Sequence, residues 1–186
     1  MIRRDWGRLL PVLFLFVTAG CVGVTPDPST TATPEGTATV YVTHVVDGDT
    51  VDVRFADGRE DTVRLLGVDT PEVHAETDPT EFENVADTEA GRDCLRRHGE
   101  RASAYAEERL AGREVTLRFD AAAGRRGGYD RLLAYVVVDG RSFNAALLER
   151  GHARLYDSTF RERDRYASLE AEARENGRGV WSCAAG

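Results

Sequence analysis

The stretch that decides the fold is Arg64-Leu65-Leu66-Gly67-Val68-Asp69-Thr70-Pro71-Glu72. Its first half continues an apolar segment of the kind that forms a β-strand, with Arg64 in the middle of that strand. A long cation in a mostly apolar strand needs a partner if it is buried. Its second half has the pattern of a helix start, in which Thr70 caps, Pro71 takes the first position and Glu72 faces the helix dipole. Taken alone, this ending favours simple capping.

Two further motifs flank that stretch in the sequence. Upstream, Asp47-Gly48-Asp49 lies between two apolar runs and by itself predicts an ordinary hairpin turn. Downstream, Tyr129-Asp130-Arg131-Leu132-Leu133-Ala134-Tyr135 predicts another strand, in which Arg131 alone reads as a solubility residue of an edge strand. Each motif on its own therefore has a structural explanation.

Together, the three motifs place acids and arginines near predicted strand ends. A hard divalent cation binds carboxylate and carbonyl oxygens. A phosphoryl transition state is stabilised by guanidinium groups around its equatorial oxygens, and an attacking water needs a carboxylate that orients or deprotonates it. One shared site explains these residues better than separate coincidences, and its chemistry is that of a metal-assisted phosphodiesterase.

These motifs resemble the staphylococcal-nuclease-like (thermonuclease) family. The resemblance extends from about Thr39 to Trp181 and rests on the Asp-Gly-Asp-Thr turn, the stretch from Arg64 to Glu72 and the Tyr-x-Arg-x-Leu-Ala-Tyr strand. It implies an OB-type barrel whose mouth collects the first hairpin turn, the end of the third strand and the start of the fifth. It also implies a monomeric nuclease that hydrolyses DNA with little sequence preference, with RNA as a second candidate substrate.

Carried over onto this sequence, the resemblance assigns two sets of site residues. The carboxylates of Asp49 and Asp69, with the carbonyl of Thr70, would bind Ca²⁺ as the cofactor. The catalytic residues would be Glu72, which handles the water, and Arg64 and Arg131, which contact the phosphate.

Two departures from the family pattern bear on substrate access. Asp130 stands where the family often has glycine. The segment from Val73 to Gly99 replaces a shorter flexible loop and is predicted to be acidic and turn-rich, with little periodicity. We therefore expect substrate to reach the site differently.

Hydrophobic periodicity predicts an α+β fold, a five-stranded OB-type β-barrel with three helices. The first helix is expected around Tyr105 and the second around Phe143. A capping box of Thr159 and Glu162 predicts the start of the third. The predicted strands are Val40 to Val46, Val51 to Phe55, Arg59 to Val68, Val115 to Phe119 and Leu132 to Val138.

Two other interpretations use the same residues. Barrels of this kind also serve as non-catalytic nucleic-acid or protein binding modules. A structural surface lipoprotein, stabilised by Ca²⁺, would use the acids without turnover. The complete set of candidate catalytic residues argues against the first, and Arg64 and Arg131 are unexplained by the second.

The charge composition is unusual for a protein that binds nucleic acid. The chain has 186 residues and a formal net charge of −8, and all 24 basic residues are arginine. Such a surface repels polyphosphate at long range in dilute salt. Either a cation and a local arginine cluster carry the binding, or the protein works where salt screens the repulsion, as in a halophile.

The first 38 residues are predicted to be an export and tether sequence. Residues 1–21 have the basic, apolar and small-residue order of a signal peptide and end at Cys21, which resembles a lipobox cysteine. Residues 22–38 are rich in Thr and Pro and predict a disordered stalk ahead of a nuclease domain at 39–186. We expect an exported protein, either anchored to the outer face of the membrane through lipidated Cys21 or secreted after an ordinary signal peptide.

Two cysteines remain if Cys21 is lipidated. Cys94 and Cys183 would then pair in an oxidising compartment, with two free thiols as the alternative.

A few other polar and aromatic residues have two interpretations. A basic run in the sequence favours a solvated, acid-paired helix face over a nucleic-acid patch. The two tyrosines flanking the site motifs would either stack on a base or pack in the core. These residues are Arg92, Arg96, Arg97 and Arg101, and Tyr129 and Tyr156.

Overall fold

The computed structural model describes residues 36 to 185. The predicted signal peptide, Cys21 and most of the predicted stalk lie outside the described residues. The strands are β1 (Thr37–Val45), β2 (Thr50–Phe55), β3 (Glu60–Leu65), β4 (Val68–Asp69), β5 (Glu114–Arg118), β6 (Leu132–Val138), β7 (Arg141–Ser142) and β8 (Arg154–Leu155). The helices are α1 (Glu89–Leu110), α2 (Phe143–Glu149) and α3 (Arg163–Glu175), with 3₁₀ turns at Pro79–Glu81, Gly128–Asp130 and Gly179–Ala185.

Five strands close into a barrel. The sheet order is β3-β2-β1-β5-β6-β7, and a parallel pairing between β3 and β6 joins the ends. Alternating apolar residues such as Val40, Val42, Val51 and Val53 point into the barrel and are almost fully buried. The α+β fold, the OB-type barrel and the three helices are therefore confirmed.

The predicted third strand is two strands. It breaks at Gly67, whose φ of +77° lies in the left-handed region that L residues avoid. A side chain there would also collide with the ring of Phe160, since a Cβ would lie 2.5 Å from Cζ. The break lets the chain leave the barrel as β4, which pairs with β8 and carries Asp69 next to Arg154 in register.

The segment after Glu72 is only partly irregular, which corrects the prediction for Val73 to Gly99. Helix α1 begins at Glu89, and the hydroxyl of Thr88 accepts a hydrogen bond from the Gly91 amide (3.1 Å). The buried face has helical spacing, but apart from Leu95 its first half consists of small or polar residues, which hide the apolar period. That face consists of Gly91, Leu95, His98, Gly99, Ala102, Ala106 and Leu110.

The start of α3 also differs from the prediction. The helix begins at Arg163, and neither Thr159 nor Glu162 forms a side-chain capping bond. The carboxylate of Glu162 instead bonds Arg118 on the barrel and Arg165 one turn along. An ion pair across the fold has replaced the local cap.

A second apolar cluster lies outside the barrel. It packs the segment after Glu72 against α1, α3 and the C-terminal turn, with Phe82, Leu95 and Trp181 at its centre. The predicted disulfide is present there, joining Cys94 and Cys183 with Cα atoms 5.8 Å apart. No helix among residues 36–185 is both long enough and apolar enough to cross a membrane.

A buried amide fastens α2 to the barrel at the point where β3 ends. Asn144 is fully buried, and its Nδ2 donates to the carbonyls of Leu66 (3.0 Å) and Ala134 (3.2 Å). Its Oδ1 accepts from the amide of Val136 (2.8 Å). One side chain thus holds β6 beside the residue that precedes Gly67.

Replacing Asn144 with alanine should destabilise the protein by about 2–4 kcal/mol, because buried backbone groups lose their hydrogen-bond partners. Urea unfolding followed by circular dichroism measures this change. Asn176→Ala is the matched control, since Asn176 is exposed and bonds only its own helix, and it should change the free energy of unfolding by less than about 0.5 kcal/mol. Equal effects would show that the Asn144 bonds do not hold the fold.

Candidate active site

Arg64 is the centre of the candidate site. Its guanidinium contacts Asp49 Oδ1 at 2.8 Å and Asp69 Oδ1 at 2.5 Å, and it donates to the carbonyl of Val68 at 2.9 Å. Only 15% of the side chain is exposed. The partner that a cation in this strand requires is therefore a pair of carboxylates, one from the β1–β2 turn and one from β4.

Asp49 is held in one orientation at the tip of the first hairpin. The buried carboxylate accepts bonds from the amide (2.7 Å) and hydroxyl (3.1 Å) of Thr70 and from the hydroxyl of Thr50 (3.1 Å). Burial raises the pKa of Asp49 to about 6, although Arg64 acts in the opposite direction. The turn predicted from Asp47-Gly48-Asp49 is thus a hairpin turn that also contributes the Asp49 carboxylate to the site.

Asp69 lies between two arginines. Arg64 contacts Oδ1, and Arg154 on β8 contacts Oδ2 at 2.6 Å. Burial raises the pKa of Asp69, while both arginines act to lower it. Sequence reasoning missed Arg154, because β8 is a two-residue strand whose pairing with β4 leaves no local pattern.

Glu72 lies at the exposed edge of the acid cluster. Its pKa is raised by partial desolvation first and then by repulsion from Asp49 and Asp69, with Arg64 opposing. This repulsion shows that the carboxylates share one electrostatic field. A cavity of about 420 Å³ opens beside Glu72, between residues 75–77 and the first turns of α1.

Helix α1 supports the segment that carries Thr70 and Glu72. At Gly99 the helix touches the chain so closely that an added Cβ would lie 2.5 Å from the carbonyl oxygen of Pro71. Pro71 and Thr70 are both buried. The expected helix start at Thr70 is absent, since residues 70–72 pass over α1 without helical structure.

Arg131 is separate from the acid cluster in this structure. It follows a 3₁₀ turn at the start of β6, donates from Nε to the carbonyl of Gly128 (3.3 Å) and lies 5.6 Å from the ring centre of Tyr129. Within residues 36–185 no carboxylate pairs with it. β6 pairs with β3, however, and Leu133 lies opposite Arg64, so both arginines come from adjacent strands of one barrel.

The loop before Arg131 has a rarely populated backbone. Tyr129 and Asp130 have φ angles of 58° and 59°, a region that costs L residues roughly 1–2 kcal/mol each. Asp130 thus keeps a glycine-like conformation at the position where the resemblance expects glycine. Tyr129 is 96% exposed and Tyr156 is 51% exposed, so core packing is excluded for both.

Comparison with known proteins decides the family. The family model for staphylococcal nuclease homologues matches residues 62–183. An uncharacterized protein of Methanocaldococcus jannaschii is 38% identical over 150 residues, which cover 76% of this chain and 70% of that protein. The thermonuclease of Staphylococcus hyicus is 30% identical over 146 residues, 77% of this chain and 76% of that protein.

The chain belongs to the staphylococcal nuclease homologue family. Endonuclease YncB of Bacillus subtilis is 36% identical over 146 residues, which cover 77% of this chain. The chain matches 61% of YncB, less than two thirds of its length. The family resemblance of the three motifs is therefore confirmed.

The acid cluster of this staphylococcal nuclease homologue fits a metal ion of the kind the family uses. Its donors are carboxylate and carbonyl oxygens, which hard divalent cations prefer. Each oxygen of Asp69 contacts one arginine and keeps a second lone pair for a metal. Each oxygen of Asp49 already has two partners, so Asp49 would exchange one of them for the metal. Burial first, and then repulsion from Asp49 and Asp69, raise the pKa of Glu72, and a bound cation would relieve that repulsion.

Arg154 lies between Asp69 and Glu81 and contacts both, which gives a test with two opposite outcomes. Arg154 lowers and Glu81 raises the pKa of Asp69. Arg154→Gln should therefore raise this pKa, and Glu81→Gln should lower it. Carboxyl-carbon NMR titration of the chelator-treated protein measures both shifts. Shifts in the same direction would show that these contacts do not set the charge of Asp69.

Proposed function

We propose that the protein is a calcium-dependent nuclease that hydrolyses the phosphodiester bonds of DNA, and also of RNA, with little sequence preference. The observation that carries the proposal is the convergence of Asp49, Asp69 and Glu72 around Arg64. A binding module needs no cluster of mutually repelling carboxylates at its surface. A phosphodiesterase needs them for the metal and the water.

Glu72 is the residue we assign to the attacking water. Asp49 and Asp69 have their oxygens engaged by Arg64, Arg154 and Thr70. The Glu72 carboxylate is exposed and accepts no hydrogen bond among the described residues. The pKa of Glu72 is raised toward neutral pH, and a pKa near the working pH favours proton transfer from water.

Arg64 and Arg131 are the residues we assign to the phosphate. Arg64 is fixed by its carboxylates at the mouth of the barrel, and Arg131 extends from the neighbouring strand. A guanidinium presents two parallel N–H groups to phosphate oxygens, which stabilises charge in the transition state. Bound to Asp49, Asp69 and the Thr70 carbonyl, Ca²⁺ would supply Lewis-acid neutralisation of a non-bridging oxygen.

The N-terminal region completes the proposal. We propose that Cys21 is lipidated and holds a monomeric enzyme at the outer face of the membrane, supported by the signal-like order of residues 1–21. The net charge of −8 without lysine supports a habitat of high salt, where repulsion between protein and substrate is screened.

Glu72→Gln should keep the fold and the metal site but lower the rate of DNA cleavage by roughly 10²- to 10⁴-fold, because the amide cannot accept a proton. Asp69→Asn should instead weaken Ca²⁺ binding by about tenfold or more, because it removes a charged ligand. Calorimetric Ca²⁺ titration and digestion of DNA and RNA with Ca²⁺, Mg²⁺ or chelator measure these effects. Thermal unfolding of each variant establishes that it is folded.

Glu76→Gln is the matched control, since Glu76 is an exposed acid in the same segment and should leave cleavage unchanged. Normal cleavage by Glu72→Gln would remove Glu72 from the mechanism. Binding without cleavage by the wild type, with every divalent ion tried, would establish the binding module instead.

Arg131→Lys should lower kcat by roughly 10²-fold or more, because lysine keeps the charge but loses the paired N–H groups. Stability should change little, since Arg131 makes no ion pair within residues 36–185. Arg161→Lys, at an arginine that is 72% exposed, is the control. An unchanged kcat in folded Arg131→Lys would exclude Arg131 from catalysis.

A further inference from the structure

The basic run on α1 divides into two halves with different partners. Arg92 pairs with Glu76 and Asp87, and Arg96 pairs with Asp93 and Glu100. Within residues 36–185, Arg97 and Arg101 pair with no carboxylate. The expected acid-paired face is therefore confirmed for the first half of the run and wrong for the second.

The unpaired half begins a basic and aromatic stripe along α1. Its members recur every four residues and so lie on one side of the helix over about 18 Å. At 3.6 residues per turn, Arg97 and Arg101 lie about 160° around the helix from Gly99, which supports Pro71, whereas Tyr105 and Arg109 lie about 120° and 80° from it. We call this row the α1 stripe; it consists of Arg97, Arg101, Tyr105 and Arg109.

Tyr105 connects the α1 stripe to the neighbouring helix. Its ring stacks on Phe143, with centres 5.3 Å apart and planes inclined by 18°. The guanidinium of Arg150 lies 4.8 Å from the centre of the Tyr105 ring, and Arg150 is exposed and pairs with no carboxylate within the described residues. The Tyr105 ring thus packs against Phe143 and Arg150 and joins this cation to the α1 stripe.

A groove of about 550 Å³ continues the α1 stripe between α1 and the β7–α2 corner. Four arginines line it against one acid, Glu149. Arg109 and Arg165 share their charge with Asp139 and Glu162, whereas Arg141, like Arg150, has no carboxylate partner among residues 36–185. The groove therefore has an excess of positive charge on a protein whose net charge is −8.

Arginines of the α1 stripe and its groove also affect a partly buried histidine beside the groove. His152 lies against Tyr105, with ring centres 5.1 Å apart. Its pKa is lowered to about 4 by burial first, and then by Arg150, His98 and Arg101. Arg150 lies 4.8 Å from the centre of the Tyr105 ring, and Arg101 precedes Tyr105 by about one turn of α1, so both cations are near this ring.

We propose that the α1 stripe and its groove are a second polynucleotide-binding surface, which holds the part of a long substrate strand that extends beyond the catalytic residues. This inference rests on the proposed nuclease function. The stripe, about 18 Å long, corresponds to about five nucleotides of a stacked strand at 3.4 Å each. Exposed, unpaired arginines bind phosphates and stack their guanidinium planes on bases. A membrane surface is flat and would not enter a groove.

The α1 stripe and its groove explain how a protein with a net charge of −8 can hold a polynucleotide. An acidic protein repels polyphosphate at a distance, yet cleavage requires the strand to stay at the acid cluster. Unpaired Arg97 and Arg101, on the far side of α1 from Gly99 and Pro71, provide local attraction, whereas the active site itself presents carboxylates. Long substrates therefore gain affinity that short ones do not.

The test uses the full chain with Glu72→Gln, so that substrate is not consumed, and compares two double variants of equal charge. Arg101→Gln with Arg150→Gln changes the stripe, and Arg54→Gln with Arg161→Gln changes exposed arginines elsewhere. Fluorescence anisotropy measures the affinity for single strands of 30 and 4 nucleotides across a salt series. The same proteins are mixed with phosphatidylglycerol vesicles.

We expect the stripe variant to bind the 30-mer about tenfold or more weakly, with a salt slope smaller by about 1.4 for two lost phosphate contacts. Its affinity for the 4-mer, and both affinities of the control variant, should not change. Equal 30-mer affinity in both variants would overturn the proposal, as would an equal loss on the 4-mer or a loss confined to vesicles. Failure of wild-type protein to cleave any strand would refute the nuclease function separately, while the 30-mer comparison would still decide the surface.

Discussion

The mouth of the barrel depends on one buried cation. Arg64 reaches out of β3 and binds a carboxylate from the β1–β2 turn, a carboxylate from β4 and the carbonyl of Val68. Removing one member of such a set leaves a buried charge without compensation, which is strongly destabilising. The guanidinium of Arg64 would face a phosphate and also joins separate parts of the chain. A substitution of Arg64 would therefore change both the stability of the barrel mouth and the proposed phosphate contact.

Much of the barrel and of the acid cluster could be predicted from sequence, because both depend on patterns among residues that are neighbours in the chain. The valines of β1 and β2 alternate with polar residues, and this period of two fixes which face is buried. Asp49 directly precedes β2, and Asp69 lies just beyond the end of β3. Antiparallel pairing of β2 with β3 places Thr50, next to Asp49, opposite Arg64, so these residues meet through ordinary sheet pairing.

The rest depends on contacts that leave no local trace. The first half of α1 buries Gly91 and Gly99, where close approach to neighbouring backbone leaves no room for a side chain. It also buries the polar His98, so this half of the helix shows no apolar period. Arg154 meets Asp69 only because a two-residue strand pairs across the fold. Glu162 has a distant arginine as its partner rather than the helix end beside it. In each case a tertiary interaction outweighed a local preference.

The link between Cys94 and Cys183 makes a covalent ring of the intervening chain, with a sequence separation of 89. The ring contains most of α1, the strands β5 to β8 and the exposed loop that carries Tyr129. A protease that cut this loop once would open the ring without producing two separate molecules. Arg64 on one side of the cut and Arg131 on the other would remain parts of one covalent body, so the nicked protein would keep together the two arginines that we assign to the phosphate.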